Sequence, residues 1–155
     1  MIDLHCHFLP EIDDGAQTIE QSLQLARMAV ADGITAAAMT PHVHPGRYEN
    51  NRSSVLSKVE AFRKILAHEQ IALQIFPAGE VRLNSDVLEL VATGEAPFLG
   101  TLDGYQIMLL EFPHASVPVG ADKLVQWLLA RKIRPLIAHP ERNKDVMRAH
   151  GKIEP

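Results

Sequence analysis

The chain alternates short apolar runs with amphipathic helical patterns, and this alternation is the feature that most constrains its fold. Apolar runs at residues 1–7, 34–40, 71–76, 106–110 and 134–138 predict five strands. The segments between them repeat apolar residues at steps of three and four, which is typical of helices. Strands that alternate with helices form a parallel sheet with helices outside it, as a barrel or an open doubly wound sheet. The sequence therefore predicts an α/β fold with functional residues at the carboxyl ends of the strands.

Local signals place the ends of the helices. Thr18-Ile-Glu-Gln21 has the pattern of a capping box, and Gly33 lies where the first helix should end. Ser53 or Ser54 is predicted to cap the second helix, Ser85 and Asp86 to begin a shorter third one, and Asp122 to cap the fourth. The second helix is expected to bury one apolar face, made by Val55, Val59, Phe62 and Leu66.

Composition excludes several classes of protein. With 155 residues, of which 46% are hydrophobic and 22% charged, the chain is expected to form one globular unit with a buried core. No run approaches the ~18 apolar residues of a membrane span, so no membrane insertion is expected. The net charge of -4, without a basic cluster, argues against a nucleic-acid partner. The single cysteine excludes an internal disulfide framework and favours a cytoplasmic location.

Imidazoles and carboxylates recur at the ends of all five predicted strands. Histidines at alternate positions of one strand project to the same side, so the first two can converge on one ion. Nitrogen and oxygen donors suit manganese, iron or zinc, whereas structural zinc favours thiolates. A metal lowers the pKa of its bound water to ~7, so the predicted chemistry is hydrolysis. The candidate ligands are His5, His7, His42, Glu80, Glu111 and His139.

Two further side chains are candidates beside these ligands. Arg142 follows His139 by three residues, and its guanidinium matches the geometry of a phosphate, although a solvated loop arginine is the alternative. Asp13 and Asp14 are placed to orient a histidine ligand, Asp14 being the candidate for this supporting role. Turn formation before Gly15 explains both aspartates equally well.

Other reactive residues and motifs receive simpler interpretations. Cys6 has Ile12 rather than an arginine six residues later, so the phosphate-binding cysteine loop of ordinary tyrosine phosphatases is absent and Cys6 is expected to be a small core residue. The chain also lacks the serine nucleophile elbow, the Walker phosphate loop and the dinucleotide glycine fingerprint. Among the remaining histidines, His68 and His150 are expected to be exposed, and His114 stays ambiguous. His44 is a candidate second ligand beside His42, but the turn-forming Pro45-Gly46 next to it favours an exposed loop position.

Six motifs, taken together and in order, resemble the PHP (polymerase and histidinol phosphatase) superfamily. More narrowly, the chain is similar to the manganese-dependent protein-tyrosine phosphatases of bacterial capsule and exopolysaccharide operons. Each motif alone is weak, but the combination runs over essentially the whole chain. The motifs are Met1-Ile-Asp-Leu-His-Cys-His7, Ile12-Asp-Asp-Gly15, Thr40-Pro-His42, Gly79-Glu80, Leu110-Glu-Phe112 and Ala138-His-Pro-Glu-Arg142.

The resemblance implies a distorted, TIM-like (β/α)7 barrel of PHP type with up to three Mn²⁺ ions at its carboxyl rim, iron and zinc being alternatives. It assigns the six candidate ligands to these metals and Arg142 to the phosphate of phosphotyrosine. The implied partner is a tyrosine-phosphorylated bacterial autokinase that controls polysaccharide export. Whether the chain forms a homo-oligomer stays open.

The chain departs from the family in one respect. Members supply two further ligands, an Asp and a His, after a late strand, and this chain has no such segment. Residues 1–155 are therefore expected to form a single PHP-like domain, incomplete at its C-terminus and truncated to about five βα units. Two other functions stay open: a histidinol-phosphate-type phosphatase, and a catalytically weak, truncated metal-binding remnant.

Overall fold

The structure, a computed structural model, describes residues 1–149. The predicted exposure of His150 falls outside the described residues. The strands are β1 Ile2–Cys6, β2 Ala36–Met39, β3 His42–Val43, β4 Gln74–Pro77, β5 Glu80–Arg82, β6 Gly100–Leu102, β7 Tyr105–Glu111 and β8 Ile133–Ala138. The helices are α1 Ile19–Ala31, α2 Arg52–His68, α3 Asp86–Ala92, α4 Ala121–Leu129 and α5 Lys144–Arg148, with a 3-10 turn at Pro140–Arg142.

The strands form two sheets that continue one another. The first has the order β1-β2-β4, and the second joins β3, β5, β7 and β8, all by parallel pairing, with β6 antiparallel to β7. Two hydrogen bonds link the sheets, from the Ala78 amide to the Met39 carbonyl (3.0 Å) and from the Glu80 amide to the Pro41 carbonyl (3.0 Å). Chain direction is therefore kept from β2 into β3 and from β4 into β5. The five predicted strands occur in sequence order, and their carboxyl ends lie on one side.

Three short strands were not predicted. β3 and β5 follow β2 and β4 after interruptions at Pro41 and Gly79. Pro41 has no N–H for the ladder, so it divides what is otherwise one strand. β6 forms a hairpin with β7 through Asp103 and Gly104, which both have positive φ angles (52° and 77°). The third predicted strand also begins later than expected, at Gln74 rather than Ile71.

Both ends of α1 lie where they were predicted, but the capping box predicted at its start is not formed. The Thr18 side chain accepts a hydrogen bond from the Gln21 amide (3.3 Å), and Gly33 ends the helix with a φ of +83°. In a standard capping box the Gln21 side chain would accept a hydrogen bond from the amide of the capping residue, Thr18. It accepts instead from the amide of Gln17, the residue before it (2.7 Å).

Two other caps differ from prediction. α2 is capped by Asn51, whose side chain accepts from the Ser54 amide, while the Ser54 hydroxyl accepts from the Asn51 amide. Ser54 thus belongs to the cap but is not the capping residue. α4 begins after Gly120 rather than at Asp122, because Gly120 adopts a left-handed conformation (φ 86°) and Asp122 falls within the first turn.

The core consists of two apolar clusters. One lies between α1, α2 and the first sheet, and the predicted α2 face of Val55, Val59, Phe62 and Leu66 is fully buried there. The other lies between α3, α4 and the second sheet. Cys6 is a buried free thiol in the first cluster, as predicted, and burial raises the pKa of this thiol far above its ordinary value.

The fold is a mixed α/β structure, as the sequence predicts. Within residues 1–149 the strands do not close into a barrel, since β1 pairs only with β2 and β8 pairs only with β7. The helices of this part of the chain are all too short or too polar to cross a bilayer.

Candidate metal centre

Glu80 lies at the centre of the cluster of predicted ligands. It begins β5, and its side chain is fully buried (0% exposed). Its Oε2 lies 3.0 Å from His42 Nδ1, 3.2 Å from His5 Nε2 and 3.4 Å from His7 Nε2. Its Oε1 lies 2.7 Å from His139 Nε2. One carboxylate is thus surrounded by four imidazoles that come from three different strand ends.

These contacts are close, yet neither oxygen of Glu80 has a hydrogen bond of good geometry to any described residue. A buried carboxylate without hydrogen bonds is costly. His5 Nε2 and His7 Nε2 also face each other at 3.3 Å. Nitrogen and oxygen lone pairs that converge in this way are the arrangement that a divalent cation requires. The donor set therefore fits a metal.

The pKa values follow from the same arrangement. Burial tends to raise the pKa of Glu80, but its contacts with His42, His5 and His7 outweigh burial and hold that pKa far below the ordinary value. Burial tends to lower the pKa of His7, whereas the carboxylates of Asp13 and Glu80 raise it to about 9. In the absence of a metal, the contacts with Asp13 and Glu80 therefore favour the protonated, charged form of His7.

Asp13 is the aspartate that orients His7. Its Oδ2 lies 2.6 Å from His7 Nδ1 and also accepts from the His42 amide (2.9 Å), and its Oδ1 accepts from the Gly15 amide (2.9 Å). A carboxylate on the far nitrogen of an imidazole fixes the ring and directs the other nitrogen to a metal. Gly15 is required at this turn, because a Cβ there would stand 2.4 Å from the His7 carbonyl oxygen.

Asp14, predicted to have a supporting role, lies on the open side of the cluster. Its side chain is 57% exposed, and its Oδ1 lies 3.3 Å from His42 Nε2. His42 therefore faces Glu80 with one ring nitrogen and Asp14 with the other. This contact is consistent with orientation of His42 and equally with metal ligation, so the role of Asp14 stays a prediction.

Glu111 ends β7 and is also buried (5% exposed). Its Oε2 pairs with Arg82 Nη1 at 2.9 Å and lies 3.9 Å from His42 Nδ1. Its Oε1 lies 3.5 Å from His114 Nε2 and 4.0 Å from His139 Nε2. Glu111 thus connects the Glu80 cluster with His114.

Among residues 1–149, four sets of donor atoms are close enough to hold an ion. Each set has three residues whose candidate donor atoms lie within 4.8 Å of one another. Glu80 belongs to two of them, as expected of a carboxylate able to bridge two metals. The sets are His5–His7–Glu80, His7–Asp14–His42, His42–Glu80–Glu111 and Glu111–His114–His139.

Arg142 lies at the edge of the cluster. It ends the 3-10 turn that follows His139 and lines a cavity of about 440 Å³ together with His5, His7, Asp14, Gly15, His42, Glu80 and His139. The backbone of His139 has a φ of +27°, an uncommon value for a residue other than glycine. The Arg142 amide donates to the His139 carbonyl (2.9 Å), so the turn fixes both residues together.

Three contacts at the site were not predicted. The first is the ion pair of Arg82 with Glu111. Arg82 lies two residues after Glu80 on β5, and because side chains alternate along a strand, both project from the same face. His114 contacts Glu111, which its position three residues past a strand end allowed but did not require. The ring of Tyr48 stacks on His42, with centroids 5.5 Å apart and an angle of 15° between the planes. No signal in the sequence indicates that stack.

His68 and His44 differ in how far they are exposed to solvent. His68 is exposed as predicted, with 86% of its side chain accessible. His44 is half-buried rather than exposed, because its backbone pairs with Tyr48 in an isolated bridge.

The whole chain matches a defined family. The model of the capsular polysaccharide synthesis family CpsB/CapC matches residues 1–155, and the chain belongs to that family.

Particular relatives make the likeness more specific. The chain is 38% identical over 146 residues to the tyrosine-protein phosphatase YwqE of Bacillus subtilis, covering 94% of this chain and 56% of the relative. It is 28% identical over 147 residues to the putative tyrosine-protein phosphatase CapC of Staphylococcus aureus, covering 95% and 56%. The chain thus spans little more than half the length of these relatives.

A solved structure supports the same likeness. It comes from work on YwqE of Bacillus subtilis and CpsB of Streptococcus pneumoniae, which are described there as metal-dependent tyrosine phosphatases. The match has a TM-score of 0.86 and 36% identity, and it covers 96% of this chain and 59% of the solved one.

Proposed function

We propose that this chain carries the metal centre of a protein-tyrosine phosphatase, which hydrolyses phosphotyrosine on proteins and regulates the synthesis of capsular or exopolysaccharide. The observation that carries the proposal is the surroundings of Glu80. Its two oxygens lack hydrogen bonds to described residues, four imidazole nitrogens lie within 3.4 Å, and Arg142 lines the adjacent cavity. Membership of the CpsB/CapC family and the names of the relatives support the same reading.

In this proposal six side chains hold the metals, and Mn²⁺ is the proposed ion, with iron or zinc as alternatives. Glu80 would be shared between ions, Asp13 keeps the His7 ring in place, and Asp14 would support or ligate from the open side. When bound, the metals supply Lewis acidity and an activated water. The proposed ligands are His5, His7, His42, Glu80, Glu111 and His139.

Arg142 is proposed to bind the phosphate. Arg142 lines the same cavity as His139, and the planar fork of a guanidinium can pair with two phosphoryl oxygens at once. This contact neutralises charge that develops on the phosphoryl group during hydrolysis. The pocket is open to solvent on the Asp14 side, which suits a phosphorylated side chain presented by a protein.

The remaining elements of the proposal follow from the family. The substrate is proposed to be a tyrosine-phosphorylated bacterial autokinase, and the parallel strands are proposed to belong to a distorted (β/α)7 barrel of PHP type. The buried free thiol of Cys6, the single cysteine, supports a cytoplasmic location.

Phosphate release from a phosphotyrosine peptide tests the proposed function. The purified chain is expected to release phosphate with Mn²⁺ and to stop when a chelator is added. His5→Ala should abolish the release, whereas His68→Ala, which changes an exposed histidine of α2, should not. A wild-type chain that binds Mn²⁺ but releases no phosphate, or that prefers histidinol phosphate to the peptide, contradicts the proposal.

A further inference from the structure

One imidazole near the centre lies outside the six predicted ligands. His114 follows β7 by three residues, and its Nε2 lies 3.5 Å from Glu111 Oε1. Its ring centroid is 6.1 Å from that of His139. We propose that His114, Glu111 and His139 together bind one divalent cation, with His114 as a direct ligand. This inference rests on the proposed function only in taking the cluster to be a metal centre.

The distances among the three donors favour an ion over direct hydrogen bonding. The Glu111 oxygen is 3.5 Å from one imidazole nitrogen and 4.0 Å from the other, which is too long for a hydrogen bond of ordinary strength. Two donors that each lie ~2.1 Å from one ion at tetrahedral angles are separated by about 3.4 Å. The two distances from Glu111 Oε1 are therefore close to the separation that a shared ion imposes, and all three candidate donor atoms lie within 4.8 Å of one another.

Arg82 determines which oxygen of Glu111 faces His114. Its Nη1 pairs with Oε2 at 2.9 Å and also donates to the Phe112 carbonyl (3.3 Å). With Oε2 held on this side, Oε1 is directed towards His114 and His139. The same side chain thus fixes Glu111 and the backbone that leads to His114.

The backbone around His114 is also tied to the segment after His139. The buried Asn143 donates from Nδ2 to the Pro113 carbonyl (2.6 Å), and the Lys144 amide donates to the His114 carbonyl (2.9 Å). These bonds join the loop after β7 to the loop after β8. His114 and His139 are therefore held near each other by the fold, even though the His114 side chain is 57% exposed.

Two imidazoles and one carboxylate form a donor set used for catalytic metals. Such a set binds zinc, iron or manganese and leaves positions open for water or a substrate oxygen. His139 Nε2 also lies 2.7 Å from Glu80 Oε1, so this ion would be adjacent to the Glu80 cluster. Arg142, three residues after His139, lines the cavity that His139 shares with Glu80.

Manganese titration followed by electron paramagnetic resonance tests the inference, since free Mn²⁺ gives a signal that is lost on binding. His114→Ala is expected either to bind one ion fewer or to bind one ion with an affinity at least about tenfold lower, which is the lower end of the loss of affinity caused by changes around a metal site. His68→Ala is the matched control, because His68 also lies near one carboxylate, 3.4 Å from Glu69, but belongs to no donor set among the described residues. It should leave the titration unchanged.

The second measurement uses Co²⁺ in place of Mn²⁺, and loss of an imidazole ligand should alter its visible absorption spectrum in His114→Ala but not in His68→Ala. Unchanged affinity, stoichiometry and spectrum in folded His114→Ala would overturn the inference.

These results separate the two proposals. If wild type hydrolyses phosphotyrosine while His114→Ala binds metal normally, only the His114 inference fails. If His114→Ala loses an ion while wild type hydrolyses nothing, only the proposed function fails.

Discussion

Arg82 and Glu111 stand opposite each other in the parallel ladder of β5 and β7, and an ion pair of 2.9 Å joins their side chains. Glu80, two residues before Arg82 on the same strand face, contacts imidazoles instead. The two buried carboxylates therefore differ in chemistry. Glu111 is held by a permanent cation through one oxygen, whereas both oxygens of Glu80 are directed towards histidines.

Arg82→Met should weaken Mn²⁺ binding by about 10–100-fold, because partners that orient a ligand contribute on that scale. Loss of the cation also removes a repulsive charge, but that charge is already paired with Glu111, so the loss of orientation is expected to dominate. Arg82→Lys keeps the charge without the fork and should recover part of the affinity. Isothermal titration with Mn²⁺ measures both variants, and tighter binding by Arg82→Met would refute this role.

Glu80→Gln should reduce Mn²⁺ affinity on the order of 100-fold or more. The substitution keeps the shape of the side chain but removes the negative charge that two of the donor sets share. Equilibrium dialysis with metal analysis measures the effect. If Glu80→Gln retains wild-type stoichiometry, Glu80 is not a shared ligand.

The stability of the chelator-treated protein should fall as the pH rises towards 9. The ordinary pKa of histidine is 6.5, and in the folded chain that of His7 is raised to about 9, since Asp13 and Glu80 outweigh the opposing effect of burial. A raised pKa contributes stability that is fully present below about 6.5 and lost as the pH rises through about 9. Urea unfolding at pH values across this window measures the slope.

Asp13→Asn provides the control for this pH dependence. It removes the charge that His7 Nδ1 contacts at 2.6 Å, so the slope between those pH values should become shallower. An identical slope in Asp13→Asn and wild type would show that the pair does not cause the pH dependence.

Gly15→Ala should destabilise the protein by about 1–3 kcal/mol, as other overpacked positions do. The new Cβ would meet the His7 carbonyl oxygen at 2.4 Å and the His7 Cβ at 2.5 Å, so Mn²⁺ affinity should fall as well. Gly46→Ala is the contrast, because Gly46 has a φ of +84° but open space around its Cα. It should lower the free energy of unfolding without changing Mn²⁺ affinity. Equal affinities in both variants would exclude the expected displacement of His7.

The sequence predicted what depends on periodicity and chain order. The buried face of α2 followed from steps of three and four residues, and the grouping of Glu80 with histidines from other strands followed from the common direction of parallel strands. What it could not predict depends on distances between segments. The ion pair of Arg82 with Glu111 requires the register of β5 against β7, and the Tyr48 stack on His42 requires the path of the loop after β3.

The cap of α2 and the short strand β3 were missed because too little of the local sequence distinguishes them. Asn51 and Ser54 are both good capping residues, and only the path of the chain into α2 decides between them. β3 consists of two residues, too short for any period to be seen in the sequence.

Anomalous diffraction at the manganese absorption edge, from crystals grown with Mn²⁺, locates the bound ions themselves. We expect anomalous peaks within coordination distance of Glu80 and of the imidazoles of His5, His7 and His42. Crystals that contain bound Mn²⁺ elsewhere but show no peak beside Glu80 would contradict it.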